Sequence, residues 1–149
     1  MGKQSLDTPV GKMYLSSDGE NITELKFGSC ADEQPDAVTE RAKAELEEYF
    51  SGERKCFSVP IKPEGTDFQK KVWAALCDIP YGETASYGEV AKMIGNTKAC
   101  RAVGMANNKN PIAIIIPCHR VVGANGTLTG YAGGLDKKEF LLKLEAQRR

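Results

Sequence analysis

The sequence predicts an α+β protein: a small N-terminal sheet-and-helix lobe, then a helical C-terminal lobe with a winged helix-turn-helix. Three observations carry that expectation. Short alternating segments joined by turn residues open the chain. Two short helical segments with start and stop signals follow one another across Gly95-Asn96. A Gly123-Ala124-Asn125-Gly126 turn then separates Val121-Val122 from Thr127-Leu128-Thr129, the pattern of a hairpin wing. Pro60, Pro63 and Gly65 break the chain, so the domains are placed at 1–64 and 65–149.

Residues 12–27 read as a hairpin, with Met13 and Leu15 on one strand, Leu25 and Phe27 on the other, and Asp18-Gly19 at the turn. Residues 36–50 read as a helix. Val38, Ala42, Leu46 and Phe50 recur every four residues, and Ser51-Gly52 ends it. Phe57 and Val59 indicate a further strand. In the second lobe, Thr66 with Gln69 and Ser86 with Glu89 each fit a capping box, in which hydroxyl and carboxyl-type side chains satisfy backbone N–H groups at a helix start. Phe68, Val72 and Leu76 continue the first of these helices, and Val90, Met93 and Ile94 the second, which Gly95 stops. Thr97 is placed as the cap of a third helix reaching about residue 107. A last helix spans 135–147, with Leu135, Leu141, Leu142 and Leu144 toward the core.

Composition narrows the function classes. The chain has 149 residues and 20 basic against 20 acidic side chains. Residues 1–65 hold 8 Lys/Arg and 13 Asp/Glu, and residues 66–149 hold 12 and 7, so a polyanion would meet the second lobe. The five cysteines, at 30, 56, 77, 100 and 118, form no CxxC pair, and there is one histidine. That argues against a zinc site of ordinary spacing and a secreted disulfide scaffold, and fits reduced thiols in a cytosol. The first nine residues lack the apolar core of a signal peptide, and the longest apolar run, Ile112–Pro117, is too short to span a membrane.

The chemistry concentrates after that apolar run. It reads as a buried strand or extended core segment, and Pro117 forces an abrupt exit onto Cys118-His119-Arg120. A thiol with a pKa near ~8.5 needs a base or a positive charge to become a nucleophile at neutral pH. His119 and Arg120 are the candidates, although neighbours on an extended chain face opposite sides, so a bridging water or a bend is needed. The competing reading is a buried structural Cys, the natural one for Cys30, Cys56, Cys77 and Cys100. Gly130-Tyr131-Ala132-Gly133-Gly134 offers backbone against which a planar ligand could lie, or simply opens the last helix. Glu139 is either a solvated charge or the group that orients His119. The helix pair has a similar ambiguity: it fits simple packing or DNA binding, and Lys98, Arg101 and Lys109 favour the latter. Gly104 weakens its helix by about 1 kcal/mol against Ala and permits close backbone approach, to another helix or to a ligand.

Pro117-Cys118-His119-Arg120-Val121 closely resembles the active-site motif of the O6-alkylguanine-DNA alkyltransferases. Ser86-Tyr87, Arg101-Ala102-Val103-Gly104, Asn110-Pro111, the Tyr131 loop and Gly133-Gly134-Leu135 with Glu139 occur in the family's order, so the resemblance covers about residues 66–147. It implies binding of double-stranded DNA through the helix-turn-helix in the minor groove and flipping of an alkylated guanine into a pocket. The alkyl group then passes irreversibly to Cys118, once per molecule, with O4-alkylthymine a poorer substrate. It implies no cofactor and no metal, no membrane, a monomer, and a cytoplasmic protein associated with the nucleoid when bound.

The roles it implies are specific. Cys118 accepts the alkyl group, His119 is the water-mediated base, Glu139 holds His119, Asn110 braces the turn and Tyr87 helps protonate the departing guanine. Arg101 fills the gap left by the flipped base, with Thr97, Lys98, Ala102, Gly104 and Asn107 on the DNA side. Met105, Val121, Tyr131 and Ala132 belong to the substrate pocket, the backbone carbonyls of Cys118 and Val121 accepting from the guanine amine. Two departures stand out: Asn107 and Asn108 are polar where some relatives carry bulky or basic residues, and Gly130 is smaller than the residue often found there, which would enlarge the pocket. Alkyltransferase-like lesion sensors, the alternative of the same fold, replace the Cys, so Cys118 argues against that reading. A Cys-dependent hydrolase is a third reading and has no support from the resemblance.

Overall fold

A computed structural model describes residues 1–131 and 133–147. The chain forms two compact units, Met1–Glu64 and Gly65–Arg149. The first is a three-stranded antiparallel sheet in the order β1 (Lys3–Thr8), β2 (Gly11–Ser17), β3 (Ile22–Phe27), with α1 (Ala37–Ser51) packed on it. Cross-strand pairs Leu6–Met13 and Leu15–Leu25 set the register that buries all four side chains. The hairpin of β2 and β3 lies where the sequence predicts it. β1 was not expected, because KQSLDT alternates Gln4 and Leu6 inward and only Leu6 is apolar. Gln4 is buried yet polar, and its amide donates to Glu40 at 3.0 Å.

Helix α1 starts at a reciprocal capping box of Asp36 and Thr39 and stops at Gly52, whose φ of 85° is the left-handed conformation a helix end favours. Phe57 and Val59 do not make a strand. That segment is instead pinned to α1 by the buried Glu45, which accepts from the backbone N–H groups of Ser58 and Val59 at 2.9 and 3.1 Å and from the Ser58 hydroxyl at 2.7 Å. A single parallel bridge joins Ile22 to Ile61.

The second unit contains α2 (Asp67–Leu76), β4 (Ala85–Ser86), α3 (Tyr87–Met93), α4 (Cys100–Asn108), β5 (Val121–Val122) and α5 (Leu135–Gln147). Both expected capping boxes are present, Thr66 with Gln69 and Ser86 with Glu89. α3 and α4 form the helix-turn-helix pair, and Trp73 of α2 donates through its indole N–H to the Ala106 carbonyl of α4 at 2.9 Å. α4 begins two residues later than expected, and Thr97 does not cap it. Its first turn starts from Ala99, which offers no side-chain acceptor.

The wing is reduced. β5 pairs in parallel with β4, Ala85 opposite Val121, while 127–129 returns only as a loop closed by Gly123 N–H donating to the Thr127 carbonyl at 2.8 Å. Leu135, expected toward the core, is exposed. Among the described residues, no helix is long and apolar enough to cross a membrane.

Candidate active site

Residues 112–120 are all buried but not extended. The isoleucine run winds into tight turns, with Ile116 N–H donating to the Ile112 carbonyl at 3.0 Å and Ile114 at a φ of 71°. A β-branched residue in that region is strained by about 1–3 kcal/mol, so the surrounding packing holds the turn in place. Cys118–Arg120 is then a short 3-10 helix rather than an extended exit. This replaces the opposite-sides geometry that the sequence implied, because consecutive residues of a helical turn fan around one axis.

Asn110 braces this turn from below. Its amide donates to the Ile116 carbonyl at 2.8 Å, and its side-chain oxygen accepts from Ile112 N–H at 2.9 Å. Burial pushes the Cys118 thiol up to about 11, while a hydrogen bond from Asn110 and the charge of Lys138 pull the other way. The sulfur is thus poised as a thiol that needs a base.

His119 is fully buried, and its Nε2 lies 2.7 Å from Oε2 of Glu145. Glu139, expected in that role, is exposed and pairs with Lys143 at 2.8 Å. The reason is helical geometry. Leu141, Leu144, Lys138 and Glu145 recur at spacings of three, four and seven on the buried stripe of α5, and Glu139 lies off it. That periodicity was the signal by which the sequence could have yielded Glu145. Burial alone would raise the Glu145 carboxyl, but His119 and Arg120 bond to it and hold it down at about 2. Burial in turn lowers the pKa of His119, despite Glu145. The Nδ1 of His119 is buried without a hydrogen-bond partner among the described residues.

Arg120 does not serve the sulfur. Its guanidinium forks onto Glu145, Nε to Oε1 at 2.8 Å and Nη2 to Oε2 at 3.0 Å, and Nη1 donates to the Ile79 carbonyl at 2.7 Å. Lys138, which the sequence reading did not single out, is buried and donates to the carbonyls of Val121 at 2.5 Å and Thr129 at 2.6 Å. It ties the residue after the 3-10 turn to the loop that precedes Tyr131. Tyr131 is half-buried, and desolvation raises its phenol pKa. Tyr87 opens α3 and shares a 2.8 Å hydrogen bond with the Thr129 hydroxyl. Ala132, expected to face the substrate, lies outside the described residues.

The faces of α4 also differ from the expectation in two residues. Val103, Ala106 and Asn107 form the buried face, whereas Arg101, Met105 and Asn108 point outward. Asn107, expected on the DNA side, is only 2% exposed. Its amide points toward the Cys118 carbonyl at 3.4 Å, and its side-chain oxygen has no partner among the described residues. Met105, expected in the pocket, is 68% exposed. Thr97 and Lys98 are exposed in the turn before α4, and Ala102 and Gly104 are half-buried. Among the described residues, no cluster of three or more His, Cys, Asp or Glu side chains could hold a metal ion.

Comparison with known proteins places this geometry. A family model described as 6-O-methylguanine DNA methyltransferase, DNA binding domain, matches residues 67–147. A second, described as 6-O-methylguanine DNA methyltransferase, ribonuclease-like domain, matches residues 1–63. The methylated-DNA–protein-cysteine methyltransferase of Methanosarcina acetivorans is 58% identical over 147 residues, covering 93% of this chain and 94% of that protein. The protein of the same name from Haemophilus influenzae is 50% identical, covering 93% and 82%. The crystal structure of Mycobacterium tuberculosis OGT in complex with DNA has a TM-score of 0.92 and 48% identity, covering 99% of this chain and 94% of that one. The chain belongs to the 6-O-methylguanine DNA methyltransferase family.

Proposed function

We propose that this protein repairs duplex DNA by taking the alkyl group of an O6-alkylguanine onto Cys118, irreversibly and once per molecule. The observation that carries the reading is the buried Cys118 on a 3-10 turn braced by Asn110, directly followed by an imidazole that is bonded to a carboxylate. This is the nucleophile, base and orienter of covalent catalysis, in a family whose relatives are named for transfer to a protein cysteine.

In the proposed reaction the thiol proton leaves toward His119 through a water, and Glu145 steadies the imidazole. The sulfur attacks the alkyl carbon in line, an S–C bond forms, and the C–O bond to guanine breaks. Tyr87 gives a proton to the departing base and recovers one by way of His119, so that the thiol proton ends, net, on guanine. Asn110 and Lys138 hold the turn and its positive surroundings. The flipped guanine lies between Tyr131 and the Cys118–Val121 backbone. Flipping costs a few kcal/mol, least for a badly paired lesion, which favours damaged over normal guanine.

The proposed DNA contact is the minor groove, through α3 and α4, with Arg101 filling the place of the flipped base and Thr97, Lys98 and the outward face of α4 along the backbone. The protein acts as a monomer in the cytoplasm, on the nucleoid. Intact-mass measurement after incubation with duplex DNA carrying one O6-methylguanine should show a gain of a single methyl group, mapped to Cys118. Tight, lesion-selective binding without any gain would make the protein a sensor instead. Arg101→Ala should slow transfer from duplex DNA more than from free O6-benzylguanine, and equal slowing would remove the finger role.

A further inference from the structure

We propose that Arg120 is a positioning residue for the transfer: by forking onto both oxygens of Glu145 it keeps His119 a neutral base, with its proton on Nε2 and its Nδ1 lone pair left to take the thiol proton through a water. The inference rests on the reading of Cys118 as acceptor and His119 as its base.

The hydrogen bonds fix the tautomer. An ionised carboxylate only accepts, so the 2.7 Å contact with Oε2 requires His119 to carry its proton on Nε2. A neutral imidazole then presents a lone pair at Nδ1, the atom that is buried without a partner among the described residues. A carboxylate facing an imidazole alone in a dry interior draws that imidazole into its charged form, and a base already protonated takes no further proton. Arg120 removes this pull. It supplies a permanent charge to the same two oxygens, at 2.8 and 3.0 Å, and its Oε2 contact is shared with His119. The guanidinium plane is fixed at its other end by the Ile79 carbonyl at 2.7 Å and by the Tyr81 ring, whose centroid lies 5.7 Å from it.

The remaining groups around the pair add to the same effect or leave it unchanged. Lys138 on α5 is a second positive charge that disfavours an imidazolium, and Cys118 is an un-ionised thiol. Tyr131 is a phenol kept neutral by burial, and Cys77, beyond Ile79, feels both Asp78 and Arg120. Burial and the two cations together lower the pKa of His119.

The chain has a single histidine, so histidine labelled with nitrogen-15 gives one imidazole spectrum. In the wild-type protein at neutral pH, NMR should show the neutral tautomer with the proton on Nε2. In Arg120→Gln the imidazole should protonate at a pH about one unit higher. The acid limb of the methyl-transfer profile should move up by the same one unit, about a tenfold loss of rate at pH values on that limb, and transfer should recover as pH rises. Arg120→Lys, which keeps the charge but not the fork, should shift less. An imidazolium in the wild-type protein at neutral pH would overturn the inference, as would an Arg120→Gln pH profile that superimposes on the wild type. If Arg120→Gln does not fold, the wild-type tautomer and the Arg120→Lys profile decide in the same way. Failure of the underlying reading is distinct: the wild-type protein would then carry no methyl on Cys118, whatever its tautomer.

Discussion

Glu145 is the residue at which base strength and stability of the second unit meet. It is buried and bonded to both His119 and Arg120. Glu145→Gln should therefore do two things. Transfer should slow on the order of 100-fold, the usual cost of weakening a general base. Stability should fall by roughly 3–5 kcal/mol, because Arg120 would be left as a buried charge without its carboxylate. Glu139→Gln is the matched control. Its pair with Lys143 is exposed, so stability should change by about 0.5 kcal/mol or less and the transfer rate should hold. Urea titration and single-turnover rates on the two variants check both statements, and a strong effect of Glu139→Gln would return the orienting role to that residue. Cys118→Ser should abolish transfer and leave DNA binding nearly intact, since the side chain is buried and holds no contact on the outward face of α4.

At the scale of the element, α4 is the informative helix. Its inner face, Val103, Ala106 and Asn107, packs toward α2 and the 3-10 turn, while Arg101, Met105 and Asn108 remain outside. Gly104 lies between the two faces. A Cβ there would come to 3.7 Å from the Tyr87 ring, an ordinary contact, so packing inside the protein does not demand glycine. Helix propensity alone predicts that Gly104→Ala raises stability by about 0.5–1 kcal/mol. Close approach of this helix to DNA would then be the reason for glycine. The variant should gain in thermal midpoint and yet transfer more slowly from duplex DNA, with free O6-benzylguanine unaffected. Loss of stability in Gly104→Ala would show that the helix needs the glycine for itself.

For the whole molecule, acid is the lever. Glu145 is held at about 2 against an ordinary 4.5, and Asp36 and Glu45 are also lowered, in each case by hydrogen bonds that overcome the opposing effect of burial. The unfolded chain binds these protons at higher pH than the folded one, so acid favours unfolding. The stability Glu145 contributes is complete above pH 4.5 and is lost as pH falls toward 2. His119 has the same sign, since its folded pKa lies below 6.5 and the unfolded imidazole protonates first. The denaturation midpoint should thus decline from about pH 6.5 downward and fall more steeply below 4.5. Glu145→Gln should flatten the lower part of that decline.

The local rules by themselves determined much of this chain. Capping boxes at Thr66 and Ser86, the stop at Gly52 and the apolar spacing of α1 and α2 are short-range events, written within a few residues. Cys118-His119 is likewise legible as a candidate nucleophile and base, because the two residue types stand side by side after the apolar run, although adjacency alone does not bring their side chains together. Three features required the tertiary structure. The isoleucine run is apolar on every side, so its pattern could not distinguish a strand from the tight turns that its packing imposes. Asn107 and Met105 exchange their expected sides because the phase of α4 is set by Trp73 and the 3-10 turn beneath it. And the partner of His119 is 26 residues away: helical phase puts Glu145 on the inward side of α5, but no local rule says which group it meets there. Burial selected Glu145, since only the carboxylate on the inward stripe of α5 reaches both the imidazole and the guanidinium.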